Sequence, residues 1–107
     1  MATRAVITLP TAVKAGEAFE VRATVAHAME TGYRTSDDGA RLPRDLVRRF
    51  ECRLDGELVF AADLFAAVSA NPYLAFWLRA HKPSELSLVW RGDNGFEHVE
   101  TRTLNVA

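Results

Sequence analysis

The stretch EAFEVRATV, Glu17 to Val25, sets Phe19, Val21, Ala23 and Val25 against Glu20, Arg22 and Thr24 in alternation. Side chains of an extended chain point to opposite faces in turn, so a period of two specifies a strand with one buried and one wet face. The pattern recurs. FECRLD sets Phe50, Cys52 and Leu54 against Glu51, Arg53 and Asp55, and ELSLVW brings Leu86, Leu88 and Trp90 to one side. A chain built on this period must form sheets. The one place for a helical turn is PRDLVRR, where Pro43 suits a helix start. No helical apolar period develops there, and residues 27–49 read as extended.

Turn chemistry divides the runs. Asp55-Gly56 between two strand-like stretches signals a tight hairpin, and Asn94-Gly95 in RGDNGF joins two more. Asp38-Gly39 tips either a further hairpin or a long loop. TAVKAG, after Pro10, reads as a connection turning at Gly16. About seven strands result, at residues 4–9, 17–25, 49–55, 58–63, 73–80, 85–91 and 96–106. Short strands, frequent turns and almost no helix predict an all-β fold, an immunoglobulin-like antiparallel β-sandwich. The Cys–Trp–Cys signature of true immunoglobulin domains is absent, so only the architecture is expected. The 107 residues suit one domain, 1–107, with no repeat or linker.

Several chemistries find no support. Thirteen Lys and Arg against fourteen Asp and Glu give a net charge of −1, with no basic excess to hold nucleic acid. No run approaches the ~20 apolar residues of a membrane span. The opening MATRAVITLP lacks the apolar stretch of a signal peptide, which taken alone reads as cytoplasmic. No serine sits in a nucleophile elbow, and the six glycines are too scattered to cradle phosphate. Asp37 and Asp38 beside Gly39 are turn formers, and Arg44, Arg48 and Arg49 with Asp45 and Glu51 make a solvated charged face. The single cysteine, Cys52, excludes an internal disulfide. Alternating with Phe50 and Leu54, it reads as a buried, inert thiol, although a strand at a sheet edge would leave it free to bridge to another chain. His27 and Met29, two apart, pair an imidazole with a thioether and offer an alternative reading as a small copper-binding sandwich protein.

The stretch SANPYLAFW, Ser69 to Trp77, poses a different problem. In a strand, Leu74 and Phe76 point one way while Tyr73, Ala75 and Trp77 point the other, and both faces are apolar. Which face meets the core stays open. So does the register of the Asp55-Gly56 hairpin. A two-residue loop turns Val59 inward with Cys52, whereas a three-residue bulged loop turns Leu58 and Phe60 inward. A sandwich of this size has one interior. The second face must be covered by the 27–49 segment or by another chain, and exposed aromatic surface of that kind marks partner sites.

HAMETGYR, GARLPRDLVRRFECRLDGELVFAADL, SANPYLAFWLRA and the W-x-G-D-N-G turn, in this order, resemble the SoxZ family of sulfur-oxidation proteins from about Gly16 onward. The resemblance implies an immunoglobulin-like, non-catalytic subunit that needs no cofactor. It would pair with SoxY, the carrier of thiosulfate oxidation that holds its substrate on the cysteine of a Gly-Gly-Cys-Gly-Gly tail. This chain ends TRTLNVA without such a tail. The resemblance further implies a periplasmic location, reached by co-export with a signal-bearing SoxY. On this reading the partner closes the second face of SANPYLAFW, with Met29, Phe60, Asn71, Tyr73, Phe76 and Trp77 as partner-binding residues. Charged substitution of Phe76 or Trp77 is then expected to break pairing more than folding. The same surface, left bare, predicts a homodimer of the isolated chain.

Overall fold

The protein, a computed structural model, is described here for residues 4–107. Eight strands follow one another: β1 (Ala5–Thr8), β2 (Ala12–Val13), β3 (Ala18–Val25), β4 (Val47–Leu54), β5 (Glu57–Asp63), β6 (Tyr73–Arg79), β7 (Ser84–Gly92) and β8 (Glu97–Val106). The only helical element among the described residues is a 3-10 turn over Asp93–Gly95. Two sheets form, β1-β3-β6 and β2-β8-β7-β4-β5. All ladders are antiparallel except the short one between β2 and β8. The fold is the expected immunoglobulin-like sandwich. Eight strands agree with the expected count of about seven, and the addition is in TAVKAG, which is not a plain connection: Ala12 and Val13 lie parallel to Asn105 and Val106. Two residues are too few to show a period.

The alternating apolar residues converge between the sheets. Phe19, Val21, Ala23 and Val25 from β3 and Phe76 and Leu78 from β6 face Phe50, Cys52, Leu86, Leu88, Trp90 and Leu104, all buried in one cluster. Phe50 is the hub. Its ring centroid lies 5.1 Å from Trp90, 5.6 Å from Phe76 and 6.1 Å from Phe60. Tilted aromatic pairs at these spacings add to the stabilisation of the buried area itself.

The β4–β5 hairpin resolves the open register in a way neither alternative described. Leu54 faces Glu57, so the loop has two residues. Asp55 and Gly56 adopt φ of +48° and +85°, as a type I′ turn requires. The ladder then slips, with Arg53 opposite Leu58 but Cys52 opposite Phe60. Val59 is the extra residue of a β-bulge. The bulge restores Phe60 to the inner face while leaving Leu58 and Val59 exposed.

Residues 26–46 are irregular rather than extended, with isolated bridges of Glu30 to Asp45 and Thr35 to Arg41 and positive φ at Met29 and Gly32, and they contain no helical turn at PRDLVRR. Asp38-Gly39 does tip a hairpin: Thr35 bridges Arg41, and Ser36 N–H donates to Ala40 O at 2.7 Å. The segment is held by Asp93, whose carboxylate accepts from Leu46 N–H at 3.1 Å and from the Arg44 guanidinium at 3.0 Å. Gly92 permits this approach. A Cβ there would stand 2.2 Å from Leu46 O.

Candidate partner-binding surface

The outer faces of the two sheets differ in chemistry. On the five-stranded sheet, Glu51 lies at the centre of a charge network. It accepts from Arg49 at 2.9 Å, Arg91 at 3.0 Å and Arg53 at 3.3 Å. Arg49 and Arg91 reach on to Asp63 and Glu97. The Arg49 hydrogen bond, aided by Arg91 and Arg53, outweighs desolvation and holds the Glu51 carboxyl at about 2. Three cations and three anions balance, and the face is sealed by its own charges. Val99, Leu58 and Val59 are the large apolar residues exposed on this sheet, and scattered exposed apolar side chains are ordinary on a protein surface.

The three-stranded sheet carries no such network. Across its outer face, Tyr73 stands opposite Thr24 and then Val6, Ala75 opposite Arg22, and Trp77 opposite Glu20. Its one ion pair among the described residues, Arg22 with Glu20 at 2.6 Å, runs along β3. Tyr73 is 58% exposed, Trp77 64% and Val6 67%. The sheet thus shows two aromatic rings and a valine to solvent on a row whose neighbouring strand is polar.

The expected site residues divide between this face and the core. Tyr73 and Trp77 are on the bare face. Phe76, on the opposite side of the same strand, is 4% exposed and stacks parallel on Phe60 at 4.2 Å. Phe60 is half-buried at the mouth between β5 and β6. Met29 is 5% exposed, and its Sδ accepts from Val47 N–H at 3.3 Å. In this structure Met29 and Phe76 offer no surface to a partner. A charge at Phe76, expected from sequence to spare the fold, would enter the core.

Asn71 opens β6 from a left-handed conformation, φ +54°. It accepts from His27 N–H at 2.9 Å through Oδ1 and donates its own N–H to His27 O at 2.7 Å. This pair fixes where β6 begins against β3. Sequence reasoning missed Val6, Tyr33 and Phe65, which are also exposed. Val6 was legible as the odd residue between Ala5 and Ile7, had the first strand been assigned its faces.

The His27–Met29 pair is turned to backbone duty. His27 Nδ1 accepts from Met29 N–H at 3.0 Å, and the ring meets Phe96 edge-on at 4.9 Å. No cluster of three or more His, Cys, Asp or Glu able to hold a metal occurs among the described residues. Cys52 lies on β4, an inner strand of its sheet, and is wholly buried. Burial pushes its thiol up to about 12, so it has neither the exposure nor the thiolate that sulfur chemistry or a bridge to another chain needs.

The family model for "Sulphur oxidation protein SoxZ" matches residues 7–103. No curated protein matches the chain. Among solved structures, the superoxide reductase (neelaredoxin) from Ignicoccus hospitalis superposes with a TM-score of 0.76 at 19% identity, over 98% of this chain and 82% of that one. The sulfur carrier protein SoxY from Chlorobium limicola f thiosulfatophilum does so with a TM-score of 0.67 at 13% identity, over 96% and 78%. Likeness at these identities speaks for the fold alone. The family match spans nearly the whole chain, and on it the protein belongs to the SoxZ family of sulphur oxidation proteins.

Proposed function

We propose that this chain is the non-catalytic subunit that pairs with a SoxY-like sulfur carrier and helps present the carrier's sulfur-loaded cysteine arm in thiosulfate oxidation. The observation that carries this reading is the bare Tyr73–Ala75–Trp77 row on the outer face of the three-stranded sheet. A partner closing that face would bury two aromatic anchors, each contributing up to ~3 kcal/mol before the costs of association. Tyr and Trp in such positions are the usual energetic centres of interfaces. The inaccessible, protonated Cys52 supports a role other than carrier. The work of the subunit is then shape and burial, and the reacting sulfur stays on the partner. Co-export with a signal-bearing SoxY-like chain would place the pair in the periplasm.

Native mass spectrometry of the chain mixed with a SoxY-like subunit tests the surface. A one-to-one complex is expected for wild type. The double variant Tyr73→Ser/Trp77→Ser is expected to lose the complex while keeping its circular dichroism spectrum, and an intact complex from that folded variant would reject the assignment.

A further inference from the structure

We infer that the free edge of β6 pairs antiparallel with the same edge of a second copy of this chain, joining two three-stranded sheets into one of six strands. The sandwich has four strand edges, and three are blunted in the ways natural sheets use against edge-to-edge pairing. β2 is two residues long. β1 has four residues and is followed closely by Pro10. β5 carries the Val59 bulge and a charged residue at each end, Glu57 and Asp63. β6 has none of these. Its seven residues keep unbroken register with β3, contain no Gly or Pro, and bear no charge before Arg79.

The hydrogen bonds of β3 show which groups of β6 are free. Val25 N–H donates to Pro72 O at 3.3 Å, towards β6, and Ala26 N–H donates to Arg4 O at 2.8 Å, on the β1 side. In an antiparallel ladder these directions alternate along the strand. Odd-numbered residues of β3 therefore serve β6, through their partners Leu74, Phe76 and Leu78. Tyr73, Ala75, Trp77 and Arg79 direct their N–H and C=O groups to the open edge, where no other strand pairs with them among the described residues.

The β6 sequence is complementary to itself in the register those free groups demand. A two-fold axis at Phe76 makes hydrogen-bonded pairs of Ala75 with Trp77 of the other copy, and of Tyr73 with Arg79. On the outer face a small residue then lies beside a large one, and the only charge on the strand lies beside an aromatic ring, where a guanidinium is attracted. On the inner face Leu74 meets Leu78. Continued into the neighbouring strands, the row runs Glu20, Trp77, Ala75, Arg22, and like charges never oppose. This complementarity commits the edge to a second copy of the chain. Its hydrogen bonds run through the backbone edge, whereas the proposed SoxY-like pairing covers the outer face, and the two share the Tyr73 and Trp77 side chains.

Sedimentation equilibrium of the isolated chain, with amide exchange followed by NMR at low and high concentration, tests it. A concentration-dependent dimer is expected. On dimerisation the amides of Tyr73, Ala75, Trp77 and Arg79 should slow by roughly tenfold or more, while those of Leu74, Phe76 and Leu78 are protected in both states. Ala75→Pro removes an edge donor without touching the β3 ladder and should give a monomer; if that variant does not fold, the exchange pattern decides alone. A wild-type chain that stays monomeric, or a dimer whose four edge amides exchange as in the monomer, overturns the inference. Protection of those amides only after a SoxY-like subunit is added assigns the edge to that partner and overturns it too.

Discussion

Phe76 and Trp77 are neighbours in the chain and opposites in environment. Phe76 packs on Phe50 and Phe60, whereas Trp77 lies in the open. Phe76→Ala should therefore cost about 3–5 kcal/mol in urea unfolding, and Trp77→Ala about 1 kcal/mol or less. Cys52 should resist Ellman's reagent in the native state and react on denaturation, because the folded protein buries the thiol and that burial disfavours the thiolate. Glu51 makes stability acid-sensitive. Its carboxyl is held at about 2 in the folded protein, below its usual 4.5. The stability it contributes is complete above the unfolded value and is lost as pH falls from about 4.5 towards 2. Glu51→Gln should flatten the melting temperature in that window, as read by calorimetry. At this scale the sequence showed that Tyr73 and Phe76 part company, but not which one is inside. That choice is made by Phe50 and Phe60 from the other sheet. Met29 resembled a surface neighbour for a similar reason: the Val47 N–H that its buried sulfur accepts from lies eighteen residues away.

The turns were the most legible elements and the bulge the least. Asp55-Gly56 declares a hairpin because a type I′ turn needs positive φ at both positions. Gly56→Ala should cost about 1 kcal/mol through backbone strain alone, since nothing lies near enough to its Cβ to clash. Gly92→Ala should cost more for the opposite reason, with a permitted φ of −155° but a carbonyl in the way. Thermal melts of the two variants compare them. The Val59 bulge could not be foreseen from spacing, because it exists to bring Phe60 against Phe50 and Phe76, a demand set by the facing sheet. The segment at 27–48 also hid its anchor. Asp93 is remote in sequence from Arg44 and Leu46, and only the fold of β7 against β4 brings them together.

The molecule as a whole measures 58 × 24 × 20 Å. Its cross-section suits two sheets about 10 Å apart, and its longest strand, the ten-residue β8, spans about 33 Å of the long axis. The sandwich was legible because its strands alternate; β2 was not, being too short to alternate. What most distinguishes the molecule is the contrast between a five-stranded sheet closed by Glu51 and its arginines and a three-stranded sheet that shows Tyr73, Trp77 and Val6 to water. The chain has two tryptophans, one fully buried at Trp90 and one exposed at Trp77. In protein labelled with 5-fluorotryptophan, titration with a SoxY-like subunit should shift the Trp77 fluorine resonance and abolish its solvent isotope effect, leaving Trp90 nearly unmoved. Complex formation with the Trp77 signal unchanged and still in contact with water would contradict the account.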